Sequence, residues 1–285
     1  MPEIGTQKWY DNQWVDCEDL DTLYDIQTDS FAEGGFGEIY IGIQRKTGVT
    51  YVFKRLADYS VSMNEIESME LVSKLNHPNI VQYYGSYKHK GFIYIVLEYI
   101  QGYDLAYHVD DSMHDELMPK PKGEDMKLLL CTCLDVLQSL YKDKLIHYDV
   151  NPINIMYDTI NKRYVFIDFA VARTKNFSSH LGIRMYFPLE LRYRNPDPED
   201  YEMLHKKDIF CLGLTLYELA CDSGFLLYGH YIDLDSLRIR SSAYKGAEYN
   251  TAMEKLIKMC LRIDHEKRPN INEILEDEDV RKLLV

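Results

Sequence analysis

The hydrophobic period of the chain changes once, close to Glu98-Tyr99-Ile100. From Tyr24 to Glu98 the apolar residues come in short runs, Ile39-Tyr40-Ile41, Tyr51-Val52-Phe53 and Phe92 to Leu97, separated by glycine-bearing turns. Alternation at a period of two sends successive side chains to opposite faces, so these runs predict antiparallel strands joined by hairpins. One helix interrupts them: Met63, Ile66, Met69, Val72 and Leu75 recur at three-residue steps until Asn76-His77-Pro78-Asn79 breaks the pattern. After Gly102 the period lengthens. Leu128, Leu129, Leu130, Leu134, Leu137 and Leu140 build a long amphipathic helix, and helical patterns return from Ile209 to Ala220 and from Met253 to Leu261. The expectation is an α+β chain: a small antiparallel sheet with one main helix, then a larger helical part. Residues 110–125 read as a polar surface loop, and neither repeats nor low complexity emerge.

Composition narrows the function classes. Over 285 residues, 32 basic residues against 46 acidic give a net charge of −14. That balance speaks against binding a phosphate backbone or an anionic lipid surface, both of which need clustered Lys and Arg. No run reaches the roughly eighteen apolar residues that a membrane span needs. The start, MPEIGTQKWYDNQW, lacks the basic head and apolar core of a secretory signal. Six cysteines, Cys17, Cys131, Cys133, Cys211, Cys221 and Cys260, form neither a disulfide ladder nor a zinc spacing, which leads us to expect a reducing, cytoplasmic setting. The nine histidines show no metal spacing either. His147 reads as a packed residue, and His108 and His114 as solvated ones. Trp9 and Trp14 lie in a short N-terminal extension, where they could pack on the sheet or engage a partner.

Three stretches carry chemistry. Phe31-Ala32-Glu33-Gly34-Gly35-Phe36-Gly37-Glu38-Ile39 is a glycine-rich turn between strand patterns, where bare backbone N–H groups can approach phosphate oxygens. A strand follows it, where a dinucleotide-binding fold would open a helix. Tyr51-Val52-Phe53-Lys54 sets a lone lysine on a strand. His147-Tyr148-Asp149-Val150-Asn151-Pro152-Ile153-Asn154 places an aspartate and an asparagine five residues apart, and Tyr164 to Ile167 is an apolar strand that ends in Asp168. Acids among apolar flanks are costly without a partner. Phosphoryl transfer needs this inventory: a carboxylate to orient a hydroxyl, and oxygen ligands for magnesium.

In this order the motifs resemble those of eukaryotic-type protein kinases. Tyr186-Phe187-Pro188-Leu189-Glu190 is similar to the segment that closes the activation loop, Asp208 to Gly213 to the anchoring helix, and Arg268-Pro269 to the late arginine that pairs with Glu190. His77 to Val81, Tyr84 to Tyr87 and Gly102-Tyr103-Asp104-Leu105 resemble the germinal-centre and NIMA-related serine/threonine kinases. The resemblance implies a two-lobed fold with an extension over 1–23, an N-lobe over 24–98, a hinge over 98–102 and a C-lobe over 103–285. It implies ATP and Mg2+ as cofactors. Ala32, Glu33, Gly34, Gly35, Phe36 and Gly37 would cover the phosphates and Lys54 would hold them. Asp149 would orient the hydroxyl, with Asn154 and Asp168 as metal ligands. Glu98 and Ile100 would meet adenine with Leu97 behind them; Ile39, Val52 and Met156 would sandwich the base, and Asp104 would sit near the ribose. Counting back from His77 lands on Ser68 for the partner of Lys54; Glu65 lies on the same helical face and Glu67 about 100° away, and we take Glu65.

Six positions depart from that family. Asn151 stands at the catalytic position of a lysine that neutralises the transferring phosphate, and Ile183 at that of a threonine contacting it. Tyr148 replaces the arginine that grips a phosphorylated loop, which here contains Thr174, Ser178 and Ser179. Ala32 and Ala170 replace glycines, and Val52 replaces an alanine over the base. The reading is therefore a serine/threonine-directed protein kinase. Its alternatives are a pseudokinase that binds a regulatory partner, and a small-molecule phosphotransferase. Asp104, Asp110, Asp111 and Glu116 after the hinge imply a protein substrate or partner with basic residues.

Overall fold

The computed structural model describes residues 6–34, 37–56, 59–108, 121–172, 188, 200–220 and 247–285. Gly35, Phe36, Asp110, Asp111, His114, Glu116, Thr174, Ser178, Ser179, Ile183, Tyr186, Phe187, Leu189, Glu190 and Cys221 lie outside the described residues. The chain divides into two compact units, Met1–Gln101 and Gly102–Val285.

The first unit is an eight-stranded sheet with every pairing antiparallel. Its strands are β1 (Gln7–Tyr10), β2 (Gln13–Asp16), β3 (Tyr24–Ile26), β4 (Ala32–Gly34), β5 (Gly37–Gln44), β6 (Thr50–Leu56), β7 (Tyr83–His89) and β8 (Phe92–Glu98), in the order β2-β1-β7-β8-β6-β5-β3, with β4 also paired to β5. A short helix α1 (Leu20–Leu23) and the longer α2 (Tyr59–Ser73) complete it. Register divides the sheet chemically. Ile39 lies opposite Lys54 and Ile41 opposite Val52, while Lys54 lies opposite Ile95 and Val52 opposite Leu97. Cross-strand partners share a face, so these six residues stand together. The intervening residues, Tyr40, Phe53 and Val96, turn to the other face and form a core with Leu20, Tyr24 and Tyr87. There the Tyr24 and Phe53 rings meet edge-on at 5.0 Å. Helix α2 packs on β6, β7 and β8 and buries Ile66, Met69 and Val72.

The residues before Tyr24 are built into this sheet. Strand β1 pairs with β7, Gln7 opposite Lys88 and Lys8 opposite Tyr87, and the hairpin sets Trp9 opposite Trp14 with their rings 5.2 Å apart. Thr6 and His89 bond at 2.7 Å, His89 reaches Asp21 at 3.2 Å, and Lys90 pairs with Asp21. Of the two readings open for the tryptophans, packing describes Trp9, which is buried.

The second unit is mostly helical: α3 (Glu124–Lys142), α4 (Tyr201–Ala220), α5 (Ala247–Cys260), α6 (Ile271–Glu276) and α7 (Glu278–Leu284). A small sheet of β9 (Gly102–Asp104), β10 (Ile155–Asp158) and β11 (Arg163–Phe166) runs in the order β11-β10-β9. Helix α3 buries Met126, Leu129, Leu130, Leu134, Leu137 and Leu140, with Glu124 and Asp125 in its first turn and Lys142 in its last, the charge order its dipole favours. Leu128 of the leucine run faces outward. A Cβ on Gly102 would fall 1.8 Å from the Tyr157 carbonyl oxygen, so the β9–β10 pairing demands glycine there. Among the described residues no helix is long and apolar enough to cross a membrane.

Candidate active site

In the first unit the sheet face that carries Lys54 also carries Ile39, Val52 and Leu97. Helix α2 brings Glu65 over this face, where its Oε1 lies 2.6 Å from Lys54 Nζ; the two side chains are only 3% and 8% exposed. Glu67 points to solvent, and the Ser68 hydroxyl donates back to the Asn64 carbonyl. The glycine turn is a β4–β5 hairpin with Ala32 opposite Ile39 and Gly34 opposite Gly37. Gly37 has φ of +144°, and a Cβ there would meet the Arg55 carbonyl oxygen at 2.1 Å. Glycine is thus required by the neighbouring strand as well as by any phosphate. Glu98 ends β8, its N–H donating to the Gln82 carbonyl at 2.9 Å, and Ile100 is buried beyond it.

In the second unit the loop from His147 to Asn154 is held by side chains from within and from helix α4. Asp208 accepts the His147 N–H at 2.7 Å and the Tyr148 N–H at 2.8 Å. His147 is fully buried, its ring 4.5 Å from that of Phe169, and burial holds its pKa below the usual imidazole value. Its neutral Nδ1 accepts the Asp149 N–H at 3.3 Å. Asn154 donates from Nδ2 to both the carbonyl oxygen and Oδ2 of Asp149, at 2.8 and 2.9 Å. That bond pair fixes the carboxylate relative to its own backbone. Asn151, fully buried, donates to the Asp149 carbonyl and accepts the Ile153 N–H, both at 2.9 Å, capping the single 3-10 turn Pro152–Asn154. Its amide therefore points into the loop.

Strand β11 delivers Asp168 beside this loop. Ile155 pairs with Phe166, and the Ile167 N–H donates to the Asn154 carbonyl at 2.9 Å. Asp168 has a left-handed backbone, φ +54°, its Oδ1 accepting the Ala170 N–H at 3.2 Å. Aspartate tolerates that region better than a branched residue would. Met156 lies opposite Asp104 on the β10–β9 pair. Asp104 accepts the N–H groups of Ala106 and Tyr107, and burial raises its pKa despite those bonds.

Among the described residues of the second unit two cations are buried, of which the sequence motifs single out only Arg268. Lys207 is fully buried although it is a lysine, and its ammonium donates to the Tyr148 carbonyl while lying 3.2 Å from the centre of the Tyr148 ring. The available signal is positional: Lys207 stands one residue before buried Asp208 and four before buried Cys211, on a helix whose buried residues are mostly apolar. Arg268, also buried, donates to the carbonyls of Lys206, Arg262 and Ile263. Elsewhere, Asp19, Asp21 and His89 are the one described trio with closely set metal-type atoms, and Thr6 and Lys90 already occupy them. The thiols of Cys211 and Cys260 are pushed up to about 12 by burial, so they are inert.

Residues 27–278 match the family model described as protein kinase domain. The chain is 26% identical over 262 residues to the mouse (Mus musculus) serine/threonine-protein kinase Nek1, covering 88% of this chain and 21% of that one. It is 27% identical over 278 residues to the serine/threonine-protein kinase KIC1 of Saccharomyces cerevisiae (92% and 24%). Mouse Nek10 is 30% identical over 229 residues (78% and 20%). The chain thus spans under a quarter of the length of these curated relatives.

Proposed function

Because the chain belongs to the protein kinase family, we propose that it is an ATP- and magnesium-dependent kinase that transfers the γ-phosphate to serine or threonine hydroxyls of a protein. The observation that carries this reading is the Asp149–Asn154 arrangement: a nearly buried carboxylate in a hydrogen-bonded loop, held on one oxygen by an amide at 2.9 Å. Asp149 orients the attacking hydroxyl and receives its proton. Lys54, aimed by Glu65, binds the phosphates, and the β4–β5 hairpin covers them. Ile39, Val52, Leu97 and Met156 enclose the base, Glu98 and Ile100 meet it through the backbone, and Asp104 serves the ribose.

The donor set suits a hard cation. Asn154 has committed its amide nitrogen to Asp149, which leaves its oxygen as the ligand atom beside the partly exposed carboxylate of Asp168. Magnesium bound by these oxygens would neutralise phosphate charge. Asn151 supplies no charge; it acts through the loop backbone as a positioning residue. Losing a cation aimed at the transition state lowers the rate by roughly 10²–10³, so we expect a slow kinase.

The test is incorporation of radiolabelled phosphate from ATP into a basic protein substrate, with Asp149→Ala as the comparison. Loss of incorporation is expected. Labelling that survives the substitution overturns the reading. The pseudokinase reading draws support from the buried, uncharged Asn151; it predicts nucleotide binding that depends on Lys54 with no Asp149-dependent turnover. The net charge of −14 supports a substrate or regulatory partner with basic residues.

A further inference from the structure

Among the described residues of the second unit, Lys207 is a fully buried ammonium. A lysine is seldom fully buried, because its ammonium must be stripped of water and met by other groups. Here it faces the loop that carries Asp149. Its Nζ donates to the Tyr148 carbonyl and sits on the face of the Tyr148 ring, 3.2 Å from its centre. The next residue, Asp208, takes the N–H groups of His147 and Tyr148 at 2.7 and 2.8 Å. Two consecutive residues of helix α4 therefore grip one peptide segment by opposite polarities, the acid on its donors and the base on its acceptor.

The gripped residue is in an unusual conformation. Tyr148 has φ of +69°, a region that a bulky aromatic residue adopts only when its surroundings impose it. Tyr148 directly precedes Asp149, so its backbone angles set where the Asp149 carboxylate points. Asn154 and His147 then hold Asp149 from the other side.

We propose that Lys207 is a positioning residue for the phosphotransfer reaction: a built-in cation that locks Tyr148 in its left-handed conformation and thereby aims Asp149. This rests on the functional reading above. Lys207 touches neither nucleotide nor acceptor in this role, so its loss changes turnover and leaves nucleotide affinity alone.

The experiment compares Lys207→Met, which keeps length and removes charge, with Lys207→Arg, which keeps charge, and with Tyr148→Leu, which removes the ring and keeps the carbonyl. For Lys207→Met, kcat falls on the order of 100-fold, the scale of a catalytic group misplaced by about an ångström, while the KM for ATP stays within about twofold of wild type. Lys207→Arg recovers most of the loss, and Tyr148→Leu loses less than Lys207→Met. Amide hydrogen exchange accelerates in peptides spanning 147–154 and is unchanged in α3. An unchanged kcat in Lys207→Met, an arginine variant as impaired as the methionine one, or unchanged exchange across the loop would each overturn the proposal. Asp149→Ala separates the two claims: if wild type and Asp149→Ala are equally inactive, the phosphotransfer reading fails, and loop exchange still decides whether Lys207 holds the segment.

Discussion

The buried pair of Lys54 and Glu65 offers a quantitative test of how the first unit is held together. At 2.6 Å, Coulomb's law with an effective dielectric near 20 gives an attraction of about 6 kcal/mol. Side chains 8% and 3% exposed have also surrendered most of their hydration, which costs several kcal/mol per ion. The two terms nearly cancel, so the pair adds little net stability, yet either residue alone is a buried charge that has lost its counter-ion at 2.6 Å. Glu65→Leu and Lys54→Met should each destabilise the first unit by roughly 3–5 kcal/mol. Independent effects would make the double variant about 6–10 kcal/mol worse than wild type. The pair logic instead places it within about 2 kcal/mol of wild type, because two apolar groups of similar volume replace two ions. Chemical denaturation of the four proteins, monitored by the aromatic core around Tyr24 and Phe53, measures the cycle. Activity should part company with stability: the double variant refolds well and still binds ATP poorly, because the ammonium is gone. Additive stabilities would refute the argument, as would a double variant that regains nucleotide affinity.

Three further outcomes follow from other residues. His205 is buried in α4, accepts the Ile271 N–H at 3.4 Å, and has its pKa pushed down to about 3 by burial, aided by Lys206. Its folded pKa lies below the unfolded value near 6.5, so the second unit keeps its full stability above about pH 6.5 and loses up to about 1.4 kcal/mol per pH unit as pH falls toward 3; acid titration of the melting temperature should show this slope, and His205→Gln should flatten it. Gly37→Ala should cost more than about 2 kcal/mol and weaken ATP binding, since its φ and the Arg55 carbonyl leave no room for a Cβ; a calorimetric melt unchanged from wild type would refute this. Tyr148 is 1% exposed and uncharged, so position 148 offers nothing to a phosphate on Thr174, Ser178 or Ser179; phosphatase treatment should change kcat less than about twofold, and a collapse of activity would reveal a cation elsewhere.

Much of the fold is legible because its signals are local. Alternation places β5, β6 and β8, and three-residue steps place α2. The hairpin of β1 and β2 is harder, since QKWY and QWVD mix polar and apolar residues over four positions each. Its one local sign is Asp11-Asn12, both with positive φ, a dipeptide suited to the tight turns of antiparallel pairs. At the site, Asp149, Asn154 and Asp168 stand out as polar groups among apolar flanks. What stays hidden is direction. Nothing in the letters distinguishes an Asn151 aimed at a phosphate from one folded back on the Asp149 carbonyl. Counting along α2 lands on Ser68 and reaches Glu65 only through the shared helical face, and the packing of Ile66, Met69 and Val72 is what turns Glu65 inward. Lys207 is hidden for the opposite reason: a lysine is expected in solvent, and only tertiary structure shows it inside.

The β1–β2 hairpin carries a practical warning. Strand β7 would be an outer strand of the sheet without it, with bare N–H and C=O groups beside Tyr87 and Lys88. Unpaired edges recruit other chains, and a two-strand cover with short, polar β2 at its rim prevents that. A chain trimmed to residue 27, where the family match begins, would keep every proposed catalytic group and lose its cover, together with Leu20 and Tyr24 from the core. Such a protein would fail by sticking to itself in a concentration-dependent way before it failed as an enzyme, and an inactive preparation of it would say nothing about Asp149.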